Sequence, residues 1–174
     1  MNKIILETKR LTLKPFEEKD AYIAAYNSRQ PSIAKAMSDM VLADEKAGLE
    51  WINWINVMAS IEKPWQVLSI ELKSENKCIG IMGIIPQPKI QSEFEILFSI
   101  SDEYQGRGYA TEAAQEMIKW FFSSRTNVYL CAIVKTDNIP SQKVIENLGF
   151  EFIENREIDY DNKPTWFKYY RLLG

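Results

Sequence analysis

The sequence predicts an α+β fold, with a mixed and mostly antiparallel sheet of about seven strands flanked by helices. Residues 94–100 alternate apolar and other side chains with period two, which is typical of a strand. Residues 110–122 place apolar side chains at helical i, i+3, i+4 spacing. The β-branched run 128–134 follows, and a strand–helix–strand order implies a right-handed crossover between two parallel strands.

Composition limits the function. The chain has 174 residues, 46% of them apolar, which predicts one domain over 1–174. A net charge of −3 argues against nucleic-acid binding. The absence of histidine excludes Ser-His-Asp hydrolysis and histidine-ligated zinc, and we expect no metal. Cys78 and Cys131 lie in apolar runs and no apolar run is long enough to span a bilayer, so we expect free thiols and a cytoplasmic protein.

The N-terminal half combines strands with short helices. Residues 6–16 read as one strand, Asp20 is a candidate N-cap for a helix to residue 26, and Pro31 precedes another short helix. A longer helix over 43–61 carries an aromatic face, for which core packing is favoured over a ligand cage. Residues 65–72 and 78–85 form a predicted hairpin. Within it Gly80 and Gly83 suggest a bulge or a close approach, and prolines at 86 and 88 end the second strand.

The C-terminal part continues the pattern. Pro140 suits the first turn of a helix that ends before Gly149. Residues 150–153 begin a strand, 159–164 carry turn chemistry, and 165–172 close the sheet.

A glycine loop joins the central strand to its helix. Gly106 and Gly108 let the backbone approach a ligand, and a helix N-terminus after such a loop suits a phosphate. The spacing is not that of a P-loop, and Thr111 replaces the third glycine of a dinucleotide fingerprint.

The string Gln105-x-x-Gly108-x-Ala110 resembles the Arg/Gln-x-x-Gly-x-Gly/Ala motif of the GNAT superfamily of N-acetyltransferases. Asn138-x-x-Ser141 with Leu148-Gly149-Phe150 resembles a later GNAT motif, and residues 7–13 resemble the opening strand of the ribosomal-protein-alanine N-acetyltransferase branch. The resemblance implies a GNAT fold whose central parallel strands splay around the pantetheine arm of acetyl-CoA. It implies these cofactor-binding residues: Phe98, Ser99 and Ile100 by backbone, the loop amides of Gln105, Gly106, Arg107, Gly108, Tyr109 and Ala110, and Asn138 and Ser141. The Arg107 side chain would contact phosphate or point to solvent.

The resemblance also suggests the catalytic groups. Strand alternation sets Glu95 opposite Phe94, Ile96 and Phe98, where an acceptor would arrive, so Glu95 is the candidate general base, with a solvent-facing glutamate as the alternative. Ser141 is the candidate general acid, because Ile145 stands where many members carry a tyrosine; its alternative role is helix capping, for which Asn138 is an equal candidate. A bulge near residues 97 and 98 is expected to free a backbone N–H for the thioester carbonyl.

The acceptor is expected to be a primary amine, either a protein N-terminus or a small amine. An α-amine has a pKa near 8 and is more often neutral at pH 7 than lysine, so weak base machinery suits it better. Segments 31–61, 86–92 and 155–164 are expected to shape the acceptor cleft, and the aromatic and apolar residues leave a homodimer open. Two alternatives remain open at this point: a non-catalytic CoA-binding sensor on the same fold, and a nucleotide-binding oxidoreductase.

Overall fold

A mixed sheet organises the protein. The computed structural model describes residues 4–61, 65–87 and 93–174, and eight strands of this part form one sheet in the order β1-β2-β3-β4-β5-β6-β8-β7. The strands are β1 Leu6–Glu7, β2 Leu11–Lys14, β3 Gln66–Leu72, β4 Lys77–Gln87, β5 Glu93–Ile100, β6 Tyr129–Lys135, β7 Glu151–Tyr160 and β8 Lys163–Leu173. Neighbouring strands are antiparallel except β5 and β6, which are parallel. The α+β class and the central parallel pair are therefore confirmed.

The eighth strand arises near the N-terminus, where the prediction of one strand over 6–16 was wrong. The segment folds back into the β1–β2 pair, with Leu6 opposite Leu13. Thr8 closes this turn, because its N–H donates to Leu11 O at 2.9 Å and its Oγ1 accepts from Leu11 N at 2.9 Å. A side-chain bond of this kind competes with an extended strand, which explains the break.

Helices cover both faces of the sheet. They are α1 Ala21–Ser28, α2 Pro31–Ala36, α3 Glu45–Ile61, α4 Tyr109–Phe122 and α5 Ile139–Asn147. Asp20 precedes α1 as predicted, but its carboxylate accepts from Glu17 N at 2.9 Å and so closes the preceding 3₁₀ turn. Pro31 is the first residue of α2, where its missing N–H costs nothing.

The two larger apolar clusters of the described residues fill the space between these layers. The larger cluster lies between the sheet and α4, and the smaller one lies beneath α1 and α3. The predicted aromatic face of α3 is mainly core: Ile55 is buried, and Trp51 packs edge-on against Phe16 at 5.3 Å between ring centroids. Trp54 is half exposed and meets Trp65 at the rim.

The glycines of β4 allow the close approach that the sequence suggested. A Cβ on Gly80 would lie 2.1 Å from Ser99 O, and the register against β3 shifts at the same level, between Ile70 and Glu71. Pro86 does not end β4, because it pairs with Phe94 and the strand continues to Gln87; Pro88 lies outside the described residues.

The C-terminal strands extend beyond their predicted bounds into a long hairpin. β7 runs to Tyr160, and the turn contains Asp161 and Asn162 at positive φ, which these residue types tolerate. Gly149 ends α5 at φ +86°, as the sequence predicted.

The parallel pair separates soon after it begins. β5 and β6 pair at Phe94 with Leu130 and at Glu95 with Cys131, whereas β5 continues to Ile100 and β6 to Lys135. Beyond this last pair the two strands leave a gap, and each remains bonded only to its outer neighbour. The splayed geometry implied by the resemblance is therefore present. No helix among the described residues has the length and hydropathy required to cross a membrane.

Candidate active site

A cavity of about 310 Å³ occupies the gap between β5 and β6. Its walls come from the segment after α2, the ends of β4 and the β7–β8 hairpin, the separated parts of β5 and β6, and the start of α5. The lining residues are Ala36, Met37, Asp39, Met40, Ile85, Gln87, Glu95, Ile96, Leu97, Phe98, Ala132, Ile133, Val134, Lys135, Asn138, Ser141, Ile145, Ile158, Tyr160 and Phe167. The structure thus brings Glu95, Phe98, Asn138 and Ser141 together.

Glu95 lies at the point where the strands separate. Its carboxylate accepts a hydrogen bond from the Gln87 side chain and another from the backbone of Ile133 on the opposite strand. Burial is the main cause that raises the pKa of Glu95, and the nearby charge of Asp39 adds to it. The two hydrogen bonds partly oppose this rise, and the resulting pKa is about 7. Its neighbours Ile96 and Ile100 pack into the core beneath α4. Glu95 is therefore a partly buried carboxyl in a cavity, and the solvent-facing alternative is wrong.

The loop before α4 keeps its amide groups open. Gly106 and Gly108 have φ of +73° and +77°, and Gly108 occupies the N-cap position without a side-chain cap. Within the described residues, the N–H groups of Gly108, Tyr109 and Ala110 have no protein acceptor. Open space surrounds the position of a Cβ on Gly106. A helix N-terminus with free amides beside an open glycine fits the diphosphate of CoA.

The polar side chains of this loop serve the loop itself. Gln105 Nε2 donates to Ile100 O and to Ser32 Oγ, each at 2.8 Å. The Arg107 guanidinium folds back, donates to Glu103 O at 3.0 Å and lies 5.6 Å from the Tyr104 ring centroid. Tyr109 and Ala110 begin α4 and pack against the core. The Gln105 N–H donates to Asp102 O at 3.4 Å, and the side chains of Gln105 and Arg107 hold the turn.

The start of α5 is arranged differently. Asn138 is the N-cap, and its Oδ1 accepts from Ser141 N at 3.3 Å. The Gln142 side chain is buried and donates to Lys135 O and Thr136 O, which fixes the turn after β6. Asn138 is thus the cap, and Ser141 lines the cavity. Ile145 is fully buried at the position where many family members carry a tyrosine.

No bulge frees an N–H near Leu97 and Phe98, so that expectation was wrong. The register of β5 against β4 is continuous from Glu93 to Ile100. The backbone groups on the other edge of β5 are released because β6 diverges beyond Glu95.

The cavity wall also holds residues that sequence reasoning did not single out. Tyr160 donates its hydroxyl hydrogen bond to Asp39, and the Lys135 ammonium lies 4.6 Å from the Tyr160 ring centroid. Burial and this bond to a carboxylate raise the pKa of Tyr160. Four residues between 36 and 40 from segment 31–61, residues 158 and 160 from segment 155–164, and Gln87 from segment 86–92 line the cavity. Residues 88–92 lie outside the described residues. The described residues contain no cluster of three or more acidic or cysteine side chains suited to a metal.

Comparison with known proteins gives these features a family. The model of the acetyltransferase (GNAT) domain family matches residues 10–151. An uncharacterised N-acetyltransferase of Bacillus licheniformis, p20, is 30% identical over 146 residues, which cover 84% of this chain and 82% of p20.

Solved structures show the same fold. The ribosomal-protein-S5-alanine acetyltransferase of Vibrio fischeri has a TM-score of 0.79 at 16% identity, covering 98% of this chain and 96% of its own. The microcin C7 self-immunity acetyltransferase MccE, solved with acetyl-CoA and AMP, has a TM-score of 0.79 at 18% identity, covering 95% and 93%. The family match and the named N-acetyltransferase relatives favour an acetyltransferase over the oxidoreductase and the non-catalytic sensor. The chain belongs to the GNAT family and is an acetyl-CoA-dependent N-acetyltransferase.

Proposed function

We propose that the enzyme, acting as a single domain in the cytoplasm, acetylates a primary amine by direct attack of the amine on acetyl-CoA. The acceptor is a protein N-terminal α-amine or a small amine. The observation that carries the proposal is Glu95, a carboxyl with a pKa of about 7 in the cavity between the separating strands. The titration range of this group suits a general base near neutral pH.

The base and its substrate are matched in proton affinity. An α-ammonium group has a pKa of about 8, close to that of Glu95, whereas a lysine ammonium near 10.4 is much harder to deprotonate. Proton transfer to Glu95 through a water would leave the amine neutral for attack. This supports an α-amine over a lysine side chain, in agreement with the fold shared with the S5-alanine enzyme of Vibrio fischeri.

The thioester needs two further groups. An N–H of Leu97 or Phe98 facing the gap would polarise the carbonyl, and Ser141 would protonate the leaving thiolate. Two observations support this role: Ser141 lines the cavity, and its contact with the cap residue Asn138 uses its backbone N–H rather than its hydroxyl. Ile145 has no proton to give, and the proton of Tyr160 is directed to Asp39.

The test is release of free CoA from acetyl-CoA with a panel of N-terminal peptides, amino acids, polyamines and aminoglycosides. We expect turnover with one class, and a fall in kcat of about 100-fold in Glu95→Gln. The pH profile of the unmodified enzyme should rise through about 7 and lose this limb in the variant. Glu71→Gln is the matched control, because Glu71 lies on β3 and pairs with Lys14 away from the cavity. Full activity of Glu95→Gln would exclude Glu95 as the base.

The proposal includes a homodimer, and the oligomeric state can be measured directly. Sedimentation of the purified protein separates a dimer of about twice 20.2 kDa from the monomer. A monomeric mass at working concentration would remove the dimer from the proposal and leave the chemistry unchanged.

A further inference from the structure

Arg10 connects the N-terminal hairpin to the loop before α4. It lies in the turn between β1 and β2, and its Nη1 donates to Arg107 O at 3.0 Å. Its guanidinium carbon lies 4.4 Å from the centroid of the Tyr109 ring, the first residue of α4. A side chain from the edge of the sheet therefore contacts the glycine loop at a main-chain atom.

That contact determines the direction of one amide group. Arg107 O and the N–H of Gly108 belong to the same peptide unit, and in a trans peptide the two point in opposite directions. A carbonyl held by Arg10 therefore turns the Gly108 N–H to the other side of the loop. A charged donor on the carbonyl also polarises the amide and strengthens its N–H as a donor.

The same peptide unit has an unusual freedom to rotate. Gly106 and Gly108 flank Arg107 and both have positive φ, a region that glycine exchanges with negative φ at little cost. Rotation of the Arg107–Gly108 peptide would replace a donor with a carbonyl oxygen in the anion site. Something outside the loop has to select one orientation, and Arg10 is placed to do so.

Glu112 holds Arg10 in that position. Its carboxylate accepts from Thr8 Oγ1 at 2.6 Å, from Arg10 N at 2.9 Å and from Arg10 Nε at 2.6 Å. Burial alone would raise the pKa of Glu112, but these bonds outweigh it and its pKa lies below the usual value. A carboxylate in the first turn of α4 would also repel an anion at this helix N-terminus, and the ion pair with Arg10 offsets that repulsion.

We propose that Arg10 is a positioning residue for CoA: it fixes the Arg107–Gly108 peptide so that the Gly108 N–H faces the diphosphate, and Glu112 orients Arg10. The proposal rests on the proposed function only in placing the diphosphate at this loop. It assigns the turn of the first hairpin to cofactor affinity, although this turn does not line the cavity.

The experiment measures binding of CoA by calorimetry and turnover with two acetyl donors. We expect Arg10→Met to weaken CoA binding about tenfold, the effect of losing one charge-assisted hydrogen bond. The KM for acetyl-CoA should rise by the same factor with kcat nearly unchanged. S-acetylpantetheine lacks the diphosphate, so its kcat/KM should not change.

Arg125→Met is the matched control. Arg125 lies beyond the other end of α4, donates from Nη1 to Phe121 O at 2.8 Å and lies 4.9 Å from the Phe121 ring, so it makes the same two kinds of contact. We expect no change in CoA affinity there. Equal losses in Arg10→Met and Arg125→Met would show a general effect on α4 and overturn the proposal.

Two further variants keep the test independent of folding. Arg10→Lys retains the charge but lacks the planar fork that spans carbonyl and carboxylate, so we expect it to stay weak; full affinity in this variant would mean that charge alone is sufficient. Glu112→Gln should weaken CoA binding about threefold by loosening Arg10. If the unmodified protein does not bind CoA, the proposed function fails; if it binds and Arg10→Met binds equally well, only the role of Arg10 fails.

Discussion

Two strand–helix units lie next to each other in this enzyme, and they differ in how the N-terminus of the helix is capped. In the first, β5 leads through the glycine loop into α4, and the N-cap Gly108 offers no side chain to the free amides. In the second, β6 leads into α5, and Asn138 caps the helix with its own side chain while Gln142 fastens the turn. A helix end without protein partners in a rigid frame is available to a ligand, whereas a self-capped end is mainly structural.

The strands of the two units also differ, because only β5 carries an ionisable side chain in the cavity where the two strands last pair. At their last shared level β5 carries Glu95 and β6 carries Cys131. The thiol of Cys131 is fully buried and its pKa is raised by burial and by the neighbouring carboxylates, so it is inert. The β5–α4 unit therefore holds an ionisable group and open amides, and the β6–α5 unit provides the wall opposite them.

The largest expected effect concerns the energetic cost of Glu95. Its pKa is about 7 in the folded protein and about 4.5 in the unfolded chain, so between these values the native state binds more protons than the unfolded chain. Stability therefore falls as pH rises from 4.5 to 7 and stays lower above it. We expect Glu95→Gln to be more stable than the unmodified protein by about 2–3 kcal/mol at pH 8, with little difference at pH 4.

Chemical unfolding at both pH values measures this difference. Glu71→Gln again serves as the control, since its carboxylate pairs with Lys14 on the far side of β4. An unchanged stability of Glu95→Gln at pH 8 would mean that the carboxylate is well solvated and poorly tuned as a base.

The next prediction compares alanine substitutions at two glycines that both have positive φ. Gly108 and Gly149 have φ of +77° and +86°, and a Cβ at either position meets no atom closer than 3.6 Å. Alanine should therefore destabilise the fold by about 1 kcal/mol at both sites. Only Gly108→Ala should also weaken CoA binding, by about thirtyfold, because a methyl group enters a loop that must approach the diphosphate. Similar CoA affinities of the two variants would contradict the assignment of the loop.

A smaller effect is expected at Ser141, the residue through which the second unit would take part in the chemistry. Ser141→Ala keeps the backbone N–H that Asn138 caps, so thermal stability should hold. The kcat should fall about tenfold, since water partly replaces the lost proton donor. Stopped-flow detection of the released thiol compares the two enzymes, and an unchanged kcat would limit Ser141 to its place in α5.

The smallest effect tests the self-capped helix directly. Asn138→Ala removes the N-cap of α5 and should lower the free energy of unfolding by about 1 kcal/mol. We expect CoA affinity to change less than twofold, since the side chain of Asn138 is already hydrogen-bonded to the backbone N–H of Ser141. A large loss of affinity would show that the second helix end also binds the cofactor and would weaken the contrast between the two units.

Local patterns in the sequence were sufficient for the β5–α4 unit, because period-two alternation, two glycines and a helical face follow one another there. They were not sufficient for the contact between Asp39 and Tyr160 in the cavity wall, because these two residues are 121 positions apart in the sequence. The bracing of the loop by Arg10 had no local signal either, since its partners Arg107 and Glu112 lie about a hundred residues away. The turn at Thr8 was missed because its side-chain hydrogen bond breaks an otherwise continuous strand pattern.

The separation of β5 from β6 also predicts which backbone amides exchange their hydrogens with solvent most readily. Amides on the facing edges beyond Glu95 and Cys131 lack a neighbouring strand, so their hydrogens should exchange with solvent faster than those of the outer pairs β3–β4 and β6–β8. A bound pantetheine arm would take the place of the missing strand and protect them. A ligand at 100 times its Kd adds about 2.7 kcal/mol to the free energy of unfolding. The protein would therefore be most stable when the cofactor fills the gap in the sheet.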